Sequence, residues 1–198
     1  MRTTTPEPEL AAQLLAWIDE DERVRAALAA DGSLFDGYAE AMAQVHRRNA
    51  ARLREVVAAG GFPGRSRVGE AAAEAAFRIV QHAIGEPAFM RAMLPLLREA
   101  AAAGELRPAA VAMLEDRICV FEGRAQRYGT QFDWDEAGTA LVPMVGVESP
   151  HDVDARRAAV GLPPLAWRRV PEAGERPPRD RAARDAEAAA WAERVGWR

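Results

Sequence analysis

Proline near the start of a segment and glycine just past its end recur through the first two-thirds of this chain, and between them apolar residues repeat at steps of three and four. Proline fits a helix's first turn, where its missing N–H is not needed, and glycine accepts the left-handed conformation that ends one. This punctuation divides residues 8–129 into five amphipathic helices. In the first, Pro6 and Pro8 lead into Leu10, Leu14, Trp17 and Ile18, and "DGS" at residues 31–33 breaks the helix and offers Ser33 as the next N-cap. The second carries Tyr38, Met42, Val45, Asn49, Leu53 and Val56 on one stripe and stops in "AAGGFPG". The third, "VGEAAAEAAFRIVQHAIG", is rich in alanines that permit close helix approach. The fourth begins at Pro87 and passes through Pro95, where a kink rather than a break is expected because the pattern continues on both sides. The fifth opens at Pro108 and is expected to run to Gly129.

Beyond Gly129 the pattern changes. "QFDWDEAGTALVPMVGV" is rich in strand formers around a turn at residues 135–138, which predicts a small hairpin. "SPHDVDARRAAVG" predicts a short helix capped by Ser149 with Pro150 at its first position, and "LPPLAW" an extended run. From Pro171 the composition predicts a linker and a marginal terminal helix ending near Trp197, together a mobile tail. The expected fold is mainly α, an irregular five-helix bundle followed by a small β-hairpin and a short helix. Residues 1–170 would form a single domain and residues 171–198 the linker and tail.

Composition narrows the function classes. No apolar run approaches the ~20 residues of a membrane span, and "MRTTTPEPEL" has no apolar leader core. The single cysteine suits a reducing cytoplasm. A net charge of -4 without a free-standing basic stripe argues against nucleic acid. All 26 basic residues are arginine, which excludes Schiff-base and lysine-nucleophile chemistry. A cytoplasmic protein is expected, with a small-molecule ligand rather than a nucleic acid or membrane as partner. Cofactor and oligomeric state are not legible.

Several polar residues stand at the edges of apolar helix faces. His82 ends the third helix, after Gln81, in the register of Ala75 and Ile79. It suits a general base near neutral pH, or equally a cap on its own helix end. Asn49 interrupts the second helix's apolar stripe, one turn after His46. On the fifth helix, Glu115, Cys119, Glu122 and Gln126 repeat the spacing of Leu114, Ile118, Phe121 and Ala125 one residue on. At about 100° per residue, Glu122 falls only some 40° from the stripe's centre, where a carboxylate needs a partner or a raised pKa. An arginine such as Arg127 or Arg78 is one candidate partner. Cys119 reads as a small buried hydrophobe and His151 as part of a cap. Tyr128, Thr130 and Gln131 follow Gln126 within "RYGTQ", more hydrogen-bonding groups than one helix end requires. His46, Asn49, His82, Glu122 and Gln126 would surround one polar hollow if the second, third and fifth helices meet. Two histidines and a carboxylate suffice for zinc or non-haem iron, but the donors come singly from separate helices, so no metal ligand is assigned.

The stretches "GFPGRSRVGEAAAEAAFRIVQHA", "LPLLREAAAAGE", "LEDRICVFEGRAQRYGTQF" and "VDARRAAVGLPPL" resemble a family of bacterial helical domains, frequent in actinomycetes, without an established activity. Gln81-His82, Asp116-Arg117, Glu122-Gly123, Gln126 and Tyr128 to Gln131 carry the resemblance, which spans roughly residues 35–168. Phe62 and Ala125 depart from it, standing where tryptophan and proline are more usual. The resemblance implies a bacterial cytoplasmic protein and a mainly helical fold, and no reaction.

The leading functional expectation is a small-molecule enzyme of the hydrolase or lyase type. His82 is the base, Glu122 the acid or orienting carboxylate, and Gln81, Asn49, Gln126, Tyr128 and Gln131 position the substrate. The alternatives are a non-catalytic binding or interaction module built around a structural polar network, and a metal-dependent enzyme.

Overall fold

The local rules set the helices where the punctuation falls. In the computed structural model, which describes residues 6–35, 37–172 and 176–198, α1 spans Pro8–Asp31, with proline in its first turn and Gly32 left-handed at φ 87° after its end. α2 spans Glu40–Gly60, α3 is the single turn Arg65–Val68, and α4 spans Glu70–His82. α5, Pro87–Ala102, runs on through Pro95 as a continuous helix. α6 spans Pro108–Phe121. The mainly helical architecture, with one antiparallel hairpin and a short helix after it, follows the sequence reading. No described helix is long and apolar enough to cross a membrane.

The chain folds as two compact units, residues 1–111 and 112–198. In the first, α4 packs against α1, α2, α3 and α5. Its alanines make this possible: Ala72, Ala73, Ala75 and Ala76 are all buried, and small side chains let neighbouring backbones approach. Phe77, Ile79 and Val80 fill the remaining space, against Leu14 and Ile18 of α1 and Leu53 of α2 in the same core. Two local expectations fail here. Ser33 does not cap α2: its N–H and hydroxyl both donate to Asp31 Oδ1, closing the end of α1 instead. Tyr38 precedes α2 rather than lying on its stripe.

The second unit departs more from the sequence reading. α6 stops at Phe121, well short of Gly129, because Gly123 is left-handed at φ 73°. The Arg124 N–H then donates to the Cys119 carbonyl and that of Gly123 to Val120, a closed helix end. Gln126 is therefore not on the helix beside Glu122. It pairs with Val147 in a one-residue parallel bridge. β1 (Phe132–Trp134) and β2 (Leu141–Pro143) form the expected hairpin, with Trp134 opposite Leu141. Asp135 holds its turn, accepting the N–H groups of Thr139 at 2.7 Å and Ala140 at 3.3 Å. After a 3-10 turn at Pro150–Asp152, α7 spans Val153–Ala159. Ser149 makes no side-chain cap there. α8, Arg181–Val195, is docked rather than loose: Arg184 Nη1 donates to Asp133 Oδ1 at 3.0 Å and Trp197 stacks on Phe121 at 5.0 Å. Residues 173–175 of the expected linker lie outside the described residues.

The "RYGTQ" segment owes its shape to two buried charges. Asp116 of α6, fully buried, accepts N–H groups from Arg127 at 2.7 Å, Tyr128 at 3.0 Å and Thr130 at 2.9 Å. Arg157 of α7 donates to the Tyr128 carbonyl at 2.6 Å and to Pro163 at 2.6 Å. Burial pushes the Asp116 carboxyl above its ordinary value, while the three N–H donors pull it back.

Two stability measurements follow. Ala76→Leu in α4 overpacks a fully enclosed position and is expected to lower unfolding stability by about 1–3 kcal/mol in urea. Asp116→Ala strands three backbone donors and is expected to cost about 3 kcal/mol in the same assay; an unchanged midpoint would show that solvent replaces the carboxylate.

Candidate functional site

An acid sits where α1 should be apolar. Leu14, Ile18 and Asp21 follow one another at steps of four and three, so Asp21 continues the buried stripe and is itself only 1% exposed. Opposite it, α2 supplies His46 and the last residue of α4 is His82. One carboxylate serves both rings. His82 Nδ1 hydrogen-bonds Asp21 Oδ1 at 3.0 Å, and His46 Nε2 lies 3.1 Å from Oδ2. The second contact is close but out of line for an N–H···O bond, so Nε2 has no aligned partner. The two imidazoles stand 5.6 Å apart, centre to centre, tilted by 44°. Behind His46, the Tyr38 hydroxyl meets Nδ1 at 2.8 Å.

The electrostatics follow from this placement. Burial alone would raise the Asp21 carboxyl, but the two histidines beside it outweigh that and hold it well below the usual carboxylate range. The side chain of Asp21 meets no arginine among the described residues; His46 and His82 are its partners. Burial pushes the Tyr38 phenol up, so it acts as a neutral hydrogen-bonding group. Asp21 and His46 are enclosed, whereas the His82 side chain is 22% exposed and gives the cluster its solvent edge. In the neutral tautomer that directs its Nδ1 hydrogen to Asp21, His82 carries its lone pair on Nε2. The arrangement can exchange protons beside a fixed negative charge. It can also offer three donor atoms to a cation, since one ligand atom from each of Asp21, His46 and His82 lies within 4.8 Å of the others.

The residues singled out from the sequence fall into both units. His82, His46, Gln81 and Asn49 belong to the first. Gln81 is buried beside His82. Asn49, 1% exposed, donates through Nδ2 to the Trp17 carbonyl at 3.1 Å, one turn before Asp21, and its Oδ1 meets no donor among the described residues. Glu122, Gln126, Tyr128 and Gln131 belong to the second. Glu122 lies just past the end of α6 and pairs with an arginine, Arg124 Nη2 at 2.6 Å, while Arg127 pairs with Glu115 and Arg78 with Glu22. Gln126, fully buried, donates to the carbonyls of Gln131 and Met144 and accepts the Gln131 N–H, so its amide ties the segment to the strand region. Gln131 accepts from Arg117 Nε at 3.0 Å and donates to the Thr130 hydroxyl. Tyr128 gives its N–H to Asp116 and its carbonyl to Arg157. Cys119 is buried and burial raises its thiol, which leaves it unreactive. His151 pairs with its neighbour Asp152 on the surface.

Asp21 and Tyr38 are the members of the cluster that sequence reasoning passed over. Asp21 interrupts the apolar stripe of α1 as Asn49 interrupts that of α2. It is masked by the acidic run "DEDE" that contains it.

Residues 8–172 match the family of unknown function DUF6624, and the chain belongs to that family. No curated protein and no solved structure matches it.

The depressed Asp21 carboxyl fixes a sign for acid stability. A carboxyl held lower in the folded than in the unfolded chain contributes stability above its unfolded value, near 3.9, and loses it as pH falls toward the folded value. The stability advantage of wild type over Asp21→Asn is therefore expected to shrink below about pH 4 in urea titrations at stepped pH. An advantage that stays constant down to pH 2 would show that the carboxylate's charge contributes nothing.

Proposed function

We propose that the protein is a small-molecule enzyme, a hydrolase or lyase, whose reacting centre is the Asp21–His46–His82 cluster. The observation that carries this reading is the carboxylate 1% exposed on the apolar stripe of α1, partnered by two imidazoles rather than by an arginine. A leucine there would continue the core at no desolvation cost, whereas a buried charge costs several kcal/mol before its partners offset it. Imidazoles are the partners that change charge near neutral pH, which suits proton exchange rather than a static tie.

In this reading the reacting proton leaves water, for hydrolysis, or a substrate carbon, for elimination, at the exposed edge formed by His82. Asp21 fixes the ring and balances the positive charge that appears on it. Tyr38 and Asn49 hold His46 and the α1 backbone in place behind the edge. The carboxylate partner of His82 is thus assigned to Asp21, and Gln126 and Gln131 to the loop they brace rather than to substrate.

Wild type and His82→Gln are to be compared on activated ester, phosphomonoester and anilide substrates. Wild type is expected to exceed the variant by about 100-fold or more on at least one of them. Equal rates on all three, with the variant folded and no less stable, would sink the enzyme reading. A variant that is inactive because it is strongly destabilised would point instead to a structural network in a binding module.

A further inference from the structure

The Asp21 carboxylate needs a positive partner, and the geometry around it is not that of two ordinary hydrogen bonds. One imidazole, His82, aligns with Oδ1 at 3.0 Å. The other, His46, is 8% exposed, stands 3.1 Å from Oδ2, and directs no hydrogen along that line. Its far nitrogen, Nδ1, is engaged by the Tyr38 hydroxyl at 2.8 Å. In the tautomer that places the His46 hydrogen on Nδ1, toward the Tyr38 hydroxyl, Nε2 presents its lone pair to the carboxylate, and a cation between them would turn that repulsion into coordination. This is also the support that metal-bound histidines use, a second ring nitrogen fixed by an outer hydrogen bond.

We infer that Asp21, His46 Nε2 and His82 Nδ1 form a binding site for a single divalent first-row transition-metal ion, of which zinc is the expected occupant. Two ligand atoms each about 2.1 Å from such an ion lie about 3.0 Å apart at a right angle and about 3.4 Å apart at the tetrahedral angle. The separations of 3.0 Å from His82 Nδ1 to Oδ1 and 3.1 Å from His46 Nε2 to Oδ2 match the first of these, the two rings facing different oxygens of one carboxylate. All three donor atoms already lie within 4.8 Å of one another, so closing the widest pair to the tetrahedral separation takes at most about 1.4 Å. Two imidazoles and one carboxylate favour zinc or ferrous iron over the all-oxygen sites of calcium and magnesium. Three protein ligands leave a fourth position for water, and His82, at 22% side-chain exposure, places that position at the solvent edge.

The inference rests on the enzyme reading and specifies how water becomes reactive there. In the metal-free protein the His82 ring edge faces the Asp21 carboxylate; in the loaded protein the ion would stand between them. An ion held there would acidify a bound water: its proton would pass to solvent, the hydroxide oxygen would form a bond to the substrate carbonyl carbon or phosphorus, and the bond to the leaving group would break as that group takes a proton from solvent.

The test uses the untagged 198-residue chain, stripped with a chelator and dialysed. Cobalt(II) is the spectroscopic probe and zinc(II) the competitor, with wild type, His82→Gln and His46→Gln compared. One equivalent of cobalt is expected to give visible d–d absorption that zinc abolishes, with affinity reduced at least tenfold in each variant. If a variant fails to fold, the wild-type spectrum and its stoichiometry decide alone. No absorption and no zinc-induced rise in Tm, or binding that both folded variants retain unchanged, would overturn the site. The two readings separate cleanly. Stoichiometric metal without turnover leaves the site and removes the enzyme, while His82-dependent turnover in chelated protein leaves the enzyme and removes the metal.

Discussion

Close approach of α4 to its neighbours is the constraint from which the first unit is built. Four buried alanines let the helix contact α1, α2, α3 and α5 along 13 residues. A helix packed so tightly has little freedom to slide, because core density leaves no space for a shifted register. Its last residue is thereby delivered to a fixed place, and that residue is His82. The position of the imidazole relative to Asp21 and His46 follows from alanine packing about two to three turns away.

The second unit solves a different problem by different means. Its central segment is irregular backbone that must enter the interior, and buried backbone groups need partners. Asp116 collects N–H groups, Arg157 collects carbonyls, and Gln126 does both. An acid, a base and an amide thus replace the ladder that a regular element would have provided. The density of polar side chains around "RYGTQ" is accounted for by this bracing, which is a structural task.

Sequence patterning revealed the helices because proline and glycine mark their ends, and the hairpin because Asp135 and Gly138 mark its turn. The end of α6 was not legible. Gly123 and Gly129 both adopt left-handed conformations, and apolar spacing continued past the true stop to Ala125. What separates the two glycines is the carboxylate of Asp116 drawing the following segment away from the helix, a tertiary interaction with no local signature. The error carried into the site: counting Glu122 and Gln126 along one helical face required a helix that had already ended. His46, Asn49 and His82 were legible as polar residues on apolar faces. Asp21 obeyed the same rule but is surrounded by acids in sequence, and its pairing with a histidine 61 positions away is not written in any periodicity.

The order of the cluster along the chain bears on how it forms. Asp21, His46 and His82 all precede the second unit, and Tyr38 lies between them. At a synthesis rate of about 5–20 residues per second, the rest of the chain takes on the order of 10 s to follow. Throughout that interval the nascent protein already contains the carboxylate and both of its imidazoles. The buried carboxylate of the first unit finds both of its imidazoles within that unit.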